Sequence, residues 1–257
     1  MAQQYQDKPI VFIGVNSGTN PQQVAAYARQ TRIPWPVIAD VTRELEQKVG
    51  IPEISLQNIM QAAYISADGQ LRRASWSDRP ATIDRALVGA SWKVDPATIP
   101  ANLRNAWKAI EFGKYSLAAT DVTKLLRASD PQTKQAADSL YAIVDADLKK
   151  DAAAAWELGQ QKDLYGAYVA MNQLQERFEG YEIPERITST LAWLRKQESV
   201  KNEEQAQKIM AEAKRLLAAP NNTVRKRAKT QIQNIVKRFP KTNAAAEAQR
   251  LIEAGGP

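Results

Sequence analysis

The 257-residue chain contains neither cysteine nor histidine, is 44% apolar and 25% charged, and sets 35 Lys and Arg against 28 Asp and Glu for a net charge of +7. At ~150 residues per domain, that length allows one large domain or two modest ones. The two zeros exclude disulfides, thiolate nucleophiles, CxxC redox pairs, cysteine- or histidine-held metals and imidazole general bases. What stays open is chemistry run on carboxylates, lysine or hydroxyls, or no chemistry at all, and neither a metal nor a cofactor is expected.

The start, Met1 to Lys8, has no basic patch followed by an apolar stretch and does not read as a signal peptide. The longest strongly apolar run, Ile10 to Val15, is far short of the ~18 residues of a membrane span, so a soluble chain is expected, its compartment left open. Residues 9–15 form a β-branched and aromatic run of the kind found in strands buried on both faces. A helix start follows, with Asn20 as N-cap, Pro21 at the first helical position and an apolar stripe of Val24, Tyr27 and Ala28. A short strand at Trp35–Ala39 and a helix from about Thr42 to Val49, closed by Gly50, come next. Ala62–Ser66 and Gln70–Trp76 flank Ala67-Asp68-Gly69, a hairpin signal, and a helix at about Ala81–Ala90 completes a β-α-β-α-β-β-α order. That order implies one α/β layer, parallel strands first and an antiparallel hairpin last.

Residues 94–101, with Pro96 and Pro100, read as a linker between this first domain (1–93) and a second (102–257) whose pattern is helical throughout. Pro131, Pro184, Pro220 and Pro240 punctuate seven or eight helices, the clearest stripe being Ala228, Ile232, Ile235 and Phe239. A faint repeat runs through this half. Ala106, Gly113-Lys114-Tyr115 and Ala118 place small residues on two helices around a tight turn plugged by an aromatic, and Ala155, Lys162-Asp163-Leu164 and Ala167 echo it. The segment resembles tetratricopeptide repeats, including Phe239-Pro240-Lys241-Thr242 followed by an alanine-rich helix start, although the echo lies 49 residues on and not the ~34 of a regular array. A generic helical bundle is the alternative.

The first half resembles the back part of a thioredoxin-fold protein of the TlpA or peroxiredoxin-related type. The matching pieces are Ile10-Val11-Phe12-Ile13-Gly14-Val15-Asn16, Ile33-Pro34-Trp35-Pro36-Val37-Ile38-Ala39-Asp40, Val49-Gly50-Ile51 and Ala63-Tyr64-Ile65-Ser66-Ala67-Asp68-Gly69-Gln70-Leu71. In that family the strand carrying W-C-x-x-C precedes the segment matching Tyr5-Gln6-Asp7-Lys8-Pro9 and is central in the sheet, and a cis-proline faces the reactive sulfur. Here the position matching that proline is about Met60, and no proline falls between Pro52 and Pro80. Thiol–disulfide exchange needs a thiolate, so the resemblance implies a redox-inactive domain. The sheet is expected either to close up without the central strand or to offer an open edge to strand pairing with another chain or segment.

Other constellations have structural readings at least as good as their functional ones. Gly14 to Asn20 joins a strand to a helix N-terminus but lacks the glycine pattern of a phosphate loop, so an ordinary turn is expected. Asp145, Asp147 and Asp151 are interleaved with Lys149 and Lys150 and read as a solvated face and not a cation site. The tryptophans, Trp35, Trp76, Trp92, Trp107, Trp156 and Trp193, are expected mostly in cores or at junctions, and Asn221-Asn222-Thr223 as a turn and helix cap. Charge is uneven. Residues 1–97 carry 10 basic and 9 acidic residues, residues 98–257 carry 25 and 19, and nine cations with no acid lie between Lys214 and Lys241. Arg225, Lys226, Arg227, Lys229, Lys237 and Arg238 are the candidate contacts for an anionic surface or nucleic acid. With no recognised motif and no interleaved aromatics, a solvated face is the stronger sequence reading and nucleic acid is not the expected partner. The whole reads as a non-catalytic protein-interaction scaffold. The alternative is a fragment of a TlpA-like thiol–disulfide oxidoreductase whose CxxC segment lies upstream of Met1.

Overall fold

The computed structural model describes residues 2–5, 7–51, 54–55, 57–217 and 221–254; the expected features at Gln6, Pro52 and Pro220 fall outside them. The chain divides into two compact units at Ser91 and Trp92.

In the first unit, strand β1 (Gly14–Ser17) pairs in parallel with β2 (Val37–Asp40), Val15 beside Ile38. Helix α1 (Pro21–Gln30) connects them and begins as its sequence dictates: the Asn20 side chain accepts the Gln22 N–H at 2.8 Å, and Pro21 needs no amide partner there. Asp40, at the end of β2, turns its carboxylate onto the first amides of α2 (Glu44–Lys48). Oδ1 accepts from Glu44 N at 3.0 Å, and Oδ2 from Leu45 N at 2.9 Å and Glu46 N at 3.2 Å. The hairpin forms where Ala67-Asp68-Gly69 places it, β3 (Ala62–Ile65) antiparallel to β4 (Leu71–Ala74), and α3 (Arg79–Leu87) follows.

Two expectations are corrected. The strand expected over 9–15 forms over Gly14–Ser17 instead, and its side chains are not buried: Val11, Ile13 and Val15 are all exposed. Nor do the four strands make one sheet. Among the described residues β1–β2 and β3–β4 are separate two-stranded sheets, because no strand lies between them to supply the second ladder that either pair would need.

The second unit is helical throughout. Its helices are α4 (Arg104–Glu111), α5 (Tyr115–Leu125), α6 (Pro131–Gln160), α7 (Leu164–Arg177), α8 (Glu185–Leu194), α9 (Glu198–Leu217), α10 (Asn222–Arg238) and α11 (Asn243–Glu253). Residues 94–101, expected as a linker, are built into it, with Ile99 only 3% exposed and packed into the helical core. The two sequence echoes close in the same way. After α4, Lys114 N–H reaches Ala109 C=O at 2.7 Å and Gly113 N–H reaches Ile110 C=O at 3.0 Å; after α6, Asp163 N–H reaches Leu158 C=O at 3.0 Å and Lys162 N–H reaches Gly159 C=O at 3.1 Å. Gly113 and Lys162 both take positive φ, the geometry of this double-bonded helix end. Ala106, Ala118, Ala155 and Ala167 are buried where the paired helices approach.

Two apolar clusters run along the unit. The first reaches from Ile99 to Val200, and the second joins α9, α10 and α11 through Ala206, Met210, Ala213, Ile232, Ile235, Phe239 and Ala248. Helix α9 serves both, with Val200 in the first and its later turns in the second. No described helix is long and apolar enough to cross a membrane.

Candidate functional site

A polar network lies at the α4–α5 turn that no sequence motif signals. Tyr115, at the start of α5, is fully buried, with its ring stacked on Phe178 at 4.8 Å and the Arg177 guanidinium 4.8 Å from its centroid. Its hydroxyl donates to Asp147 Oδ2 and accepts from Lys93 Nζ at 3.2 Å, while Lys93 also binds Asp147 at 2.8 Å. Burial works against charge on Asp147, but the hydrogen bonds from Lys93 and Tyr115 outweigh it and hold the carboxyl below its ordinary value. Burial, reinforced by Asp147, raises the phenol of Tyr115. Lys93 is raised as well, because bonds to Asp147 and Tyr115 overcome its partial burial. Glu111 accepts the Lys93 and Val94 amides at 2.9 Å each, and Trp107 Nε1 donates to it at 3.1 Å. The network therefore ties residues 93–94 to helices α4, α5 and α6. Each of these groups is bonded to a neighbour within the network.

The aspartates of α6 are likewise paired. Asp147 is held by Lys93, Asp151 by Arg177 at 2.6 Å and Asp145 by Lys149 at 2.6 Å. Among the described residues no cluster of carboxylates could hold a metal. The Gly14–Asn20 loop is likewise used internally, Gly18 N–H donating to Asp40 C=O at 2.9 Å. Met60, expected to match the cis-proline of a thioredoxin fold, is exposed in the loop before β3. A cleft of about 440 Å³ is lined by Tyr5, Arg79, Pro80 and Ile83, and the Arg79 guanidinium is seated over the Trp76 ring at 4.7 Å.

Two surfaces remain. On the first unit, the register pair Val15 and Ile38 shares one face of the parallel sheet and is 42% and 46% exposed; Ile65 and Leu71, paired across the hairpin, are exposed in the same way. Among the described residues of this unit, Val24, Ile51 and Ile83 are the buried apolar ones. The tryptophans divide between settings. Trp107 is buried and Trp92 and Trp156 pack on the helical core, whereas Trp35, Trp76 and Trp193 are exposed, contrary to the expectation that most lie in cores or at junctions. On the second unit, Ala228, Ile232, Ile235 and Phe239 face the core and so turn the candidate cations outward. Lys226, Arg227, Lys229, Lys237 and Arg238 are exposed, while Arg225 is half-buried and bonded to Asn222. Asn221 caps α10 as expected, accepting from Thr223 N at 2.8 Å.

Comparison with protein-family models, with curated proteins and with solved structures returns no match to this chain.

Proposed function

We propose that this chain is a non-catalytic interaction protein. Its α/β unit, thioredoxin-like in element order, takes a central strand from a partner protein, and its tetratricopeptide-like helical hairpins carry that unit as a scaffold. The carrying observation is the bare face of β1–β2, where Val15 and Ile38 lie side by side in solvent on a two-stranded parallel sheet. Parallel strands are ordinarily covered on both faces and extended into larger sheets. Two pairs, β1–β2 and β3–β4, are also what a larger sheet of this order would leave if its central strand, between β1 and β3, were taken away. A strand added there would satisfy open backbone groups by augmentation. The absence of cysteine and histidine leaves the unit without the groups that redox or imidazole chemistry requires.

Photo-crosslinkers placed at Val15 and at Ile65 in cells should capture one and the same protein, and Ile38→Lys should abolish capture. Crosslinking to different proteins, or capture unaffected by Ile38→Lys, would defeat the reading. A native polypeptide heavier than 28.6 kDa with W-C-x-x-C ahead of Met1 and disulfide-exchange activity would replace it with the oxidoreductase alternative.

A further inference from the structure

Helix α10 places its charge unlike the other long helices. On α6 and α9 three of the cations bond an acid one turn away: Lys134 with Asp138 at 2.6 Å, Lys149 with Asp145 at 2.6 Å, and Lys208 with Glu204 at 2.8 Å. Helix α10 carries six cations and no acid, and the sequence holds no acid between Glu212 and Glu247. Those two are themselves taken, Glu212 by Arg215 and Glu247 by Lys214, each at 2.8 Å. Arg225 and Lys229 stand at i,i+4 and Lys226 and Lys229 at i,i+3, like-charge spacings that work against the helix. Of the candidate cations, Arg225 bonds Asn222 and Arg238 lies 5.2 Å from the Phe239 ring. Among the described residues no ion pair engages Lys226, Arg227, Lys229 or Lys237.

We propose that the outer face of α10 binds the phosphate backbone of a nucleic-acid duplex. Between the cations this face presents Thr230, Gln233 and Asn234, all exposed, side chains that share with Lys and Arg the work of contacting phosphate oxygens. The cations form two groups, Lys226-Arg227-Lys229 and Lys237-Arg238, with centres about 15 Å apart along the axis at ~1.5 Å per residue. That separation is close to the ~12 Å opening of a duplex major groove, so the long side chains at either end reach the phosphates on its two sides. The face has no aromatic on which unpaired bases could stack, since Phe239 is buried. It also has no exposed apolar residue to enter a lipid surface, because Ile232 and Ile235 are spent in the core with α9 and α11. The contacts are to backbone alone and carry no base specificity.

Fluorescence anisotropy with the full chain and a labelled duplex of arbitrary sequence tests this. About five phosphate contacts predict an affinity loss of roughly several hundred-fold between 50 and 200 mM salt. Replacing Lys226, Lys229 and Lys237 by Gln should cut low-salt affinity at least ~10-fold and lower the salt slope by about 3. Replacing Lys134, Lys149 and Lys150 of α6 by Gln, the same change in charge, should leave both unchanged. The proposal is overturned if both triple variants weaken binding equally, if no duplex binding occurs at low salt, or if single strands, polyglutamate or phosphatidylserine vesicles bind as tightly as the duplex. Neither result depends on the partner captured at Val15.

Discussion

Tyr115 and Tyr181 are buried in the same core and differ in what their hydroxyls meet. The Tyr115 hydroxyl joins Asp147, Lys93 and Arg177, whereas that of Tyr181 finds no hydrogen-bond partner among the described residues, and burial pushes its ionisation far above the ordinary value. Removing a paired buried hydroxyl strands its partners, while removing an unpaired one relieves a desolvation cost. Tyr115→Phe should therefore lower stability by about 1–2 kcal/mol, and Tyr181→Phe should leave it unchanged or raise it by up to ~1 kcal/mol, as read by urea unfolding followed by helical circular dichroism. The same network sets two limbs of the pH dependence. The depressed Asp147 carboxyl contributes stability that is complete above the unfolded-chain value of about 3.9 and is lost as pH falls through the lower folded value. The raised Lys93 and Tyr115 contribute stability that is complete below about 10 and is lost as pH rises through their folded values. Asp147→Asn should flatten the acid limb and Tyr115→Phe the alkaline limb in unfolding measured across pH.

Helix ends decide how the later elements are joined. Glu203, in the middle of α9 and 5% exposed, accepts the amides of Asn243 at 2.6 Å and Ala244 at 3.0 Å, so that one helix caps the start of another, α11. A carboxylate there meets both the orphan amides and the positive end of the helix. Glu203→Ala should cost about 2–3 kcal/mol and Glu203→Gln less, and both should loosen α11 ahead of α6 in hydrogen exchange. Gly180, just after α7, has a φ of 87°, and a Cβ on it would come within 2.7 Å of the Ala119 Cβ on α5. Gly180→Ala therefore meets both backbone strain and a side-chain clash, and should destabilise by about 2 kcal/mol or more. Elements with local signals were legible in the sequence: the Asn20-Pro21 start of α1, the Ala67-Asp68-Gly69 hairpin, the apolar stripe of α10 and the paired turns at Gly113 and Lys162. The Tyr115 network was not, because Lys93, Tyr115, Asp147 and Arg177 come together only when separate elements pack. The bareness of β1 was equally hidden, since an apolar run such as Ile10–Val15 signals burial without saying what supplies the cover.

The two units differ in how much core they possess. The helical unit runs an almost continuous apolar interior from Ile99 to Ala248, whereas among its described residues the α/β unit buries the apolar Val24, Ile51 and Ile83 alone, beside the polar Asp40, Glu46 and Thr82. Since burial of apolar surface is the main favourable contribution to folding, the α/β unit should open far more readily. Amides of β1 to β4 should exchange orders of magnitude faster than those of α4 to α10, and heating should give two transitions, with the α/β unit first. Substitution then separates a docking face from a damaged core. Ile38 is already in solvent, so Ile38→Lys should leave the first transition of the free chain within about 0.5 kcal/mol of its original stability. Val24→Lys removes a buried apolar residue from this small core and places a charge there, so it should abolish that transition. In the presence of the proposed strand-donating partner the pattern should reverse for Ile38. The unsubstituted unit should gain stability as RT ln(1 + [partner]/Kd), the Ile38→Lys chain should gain none, and the second transition should stay fixed in both.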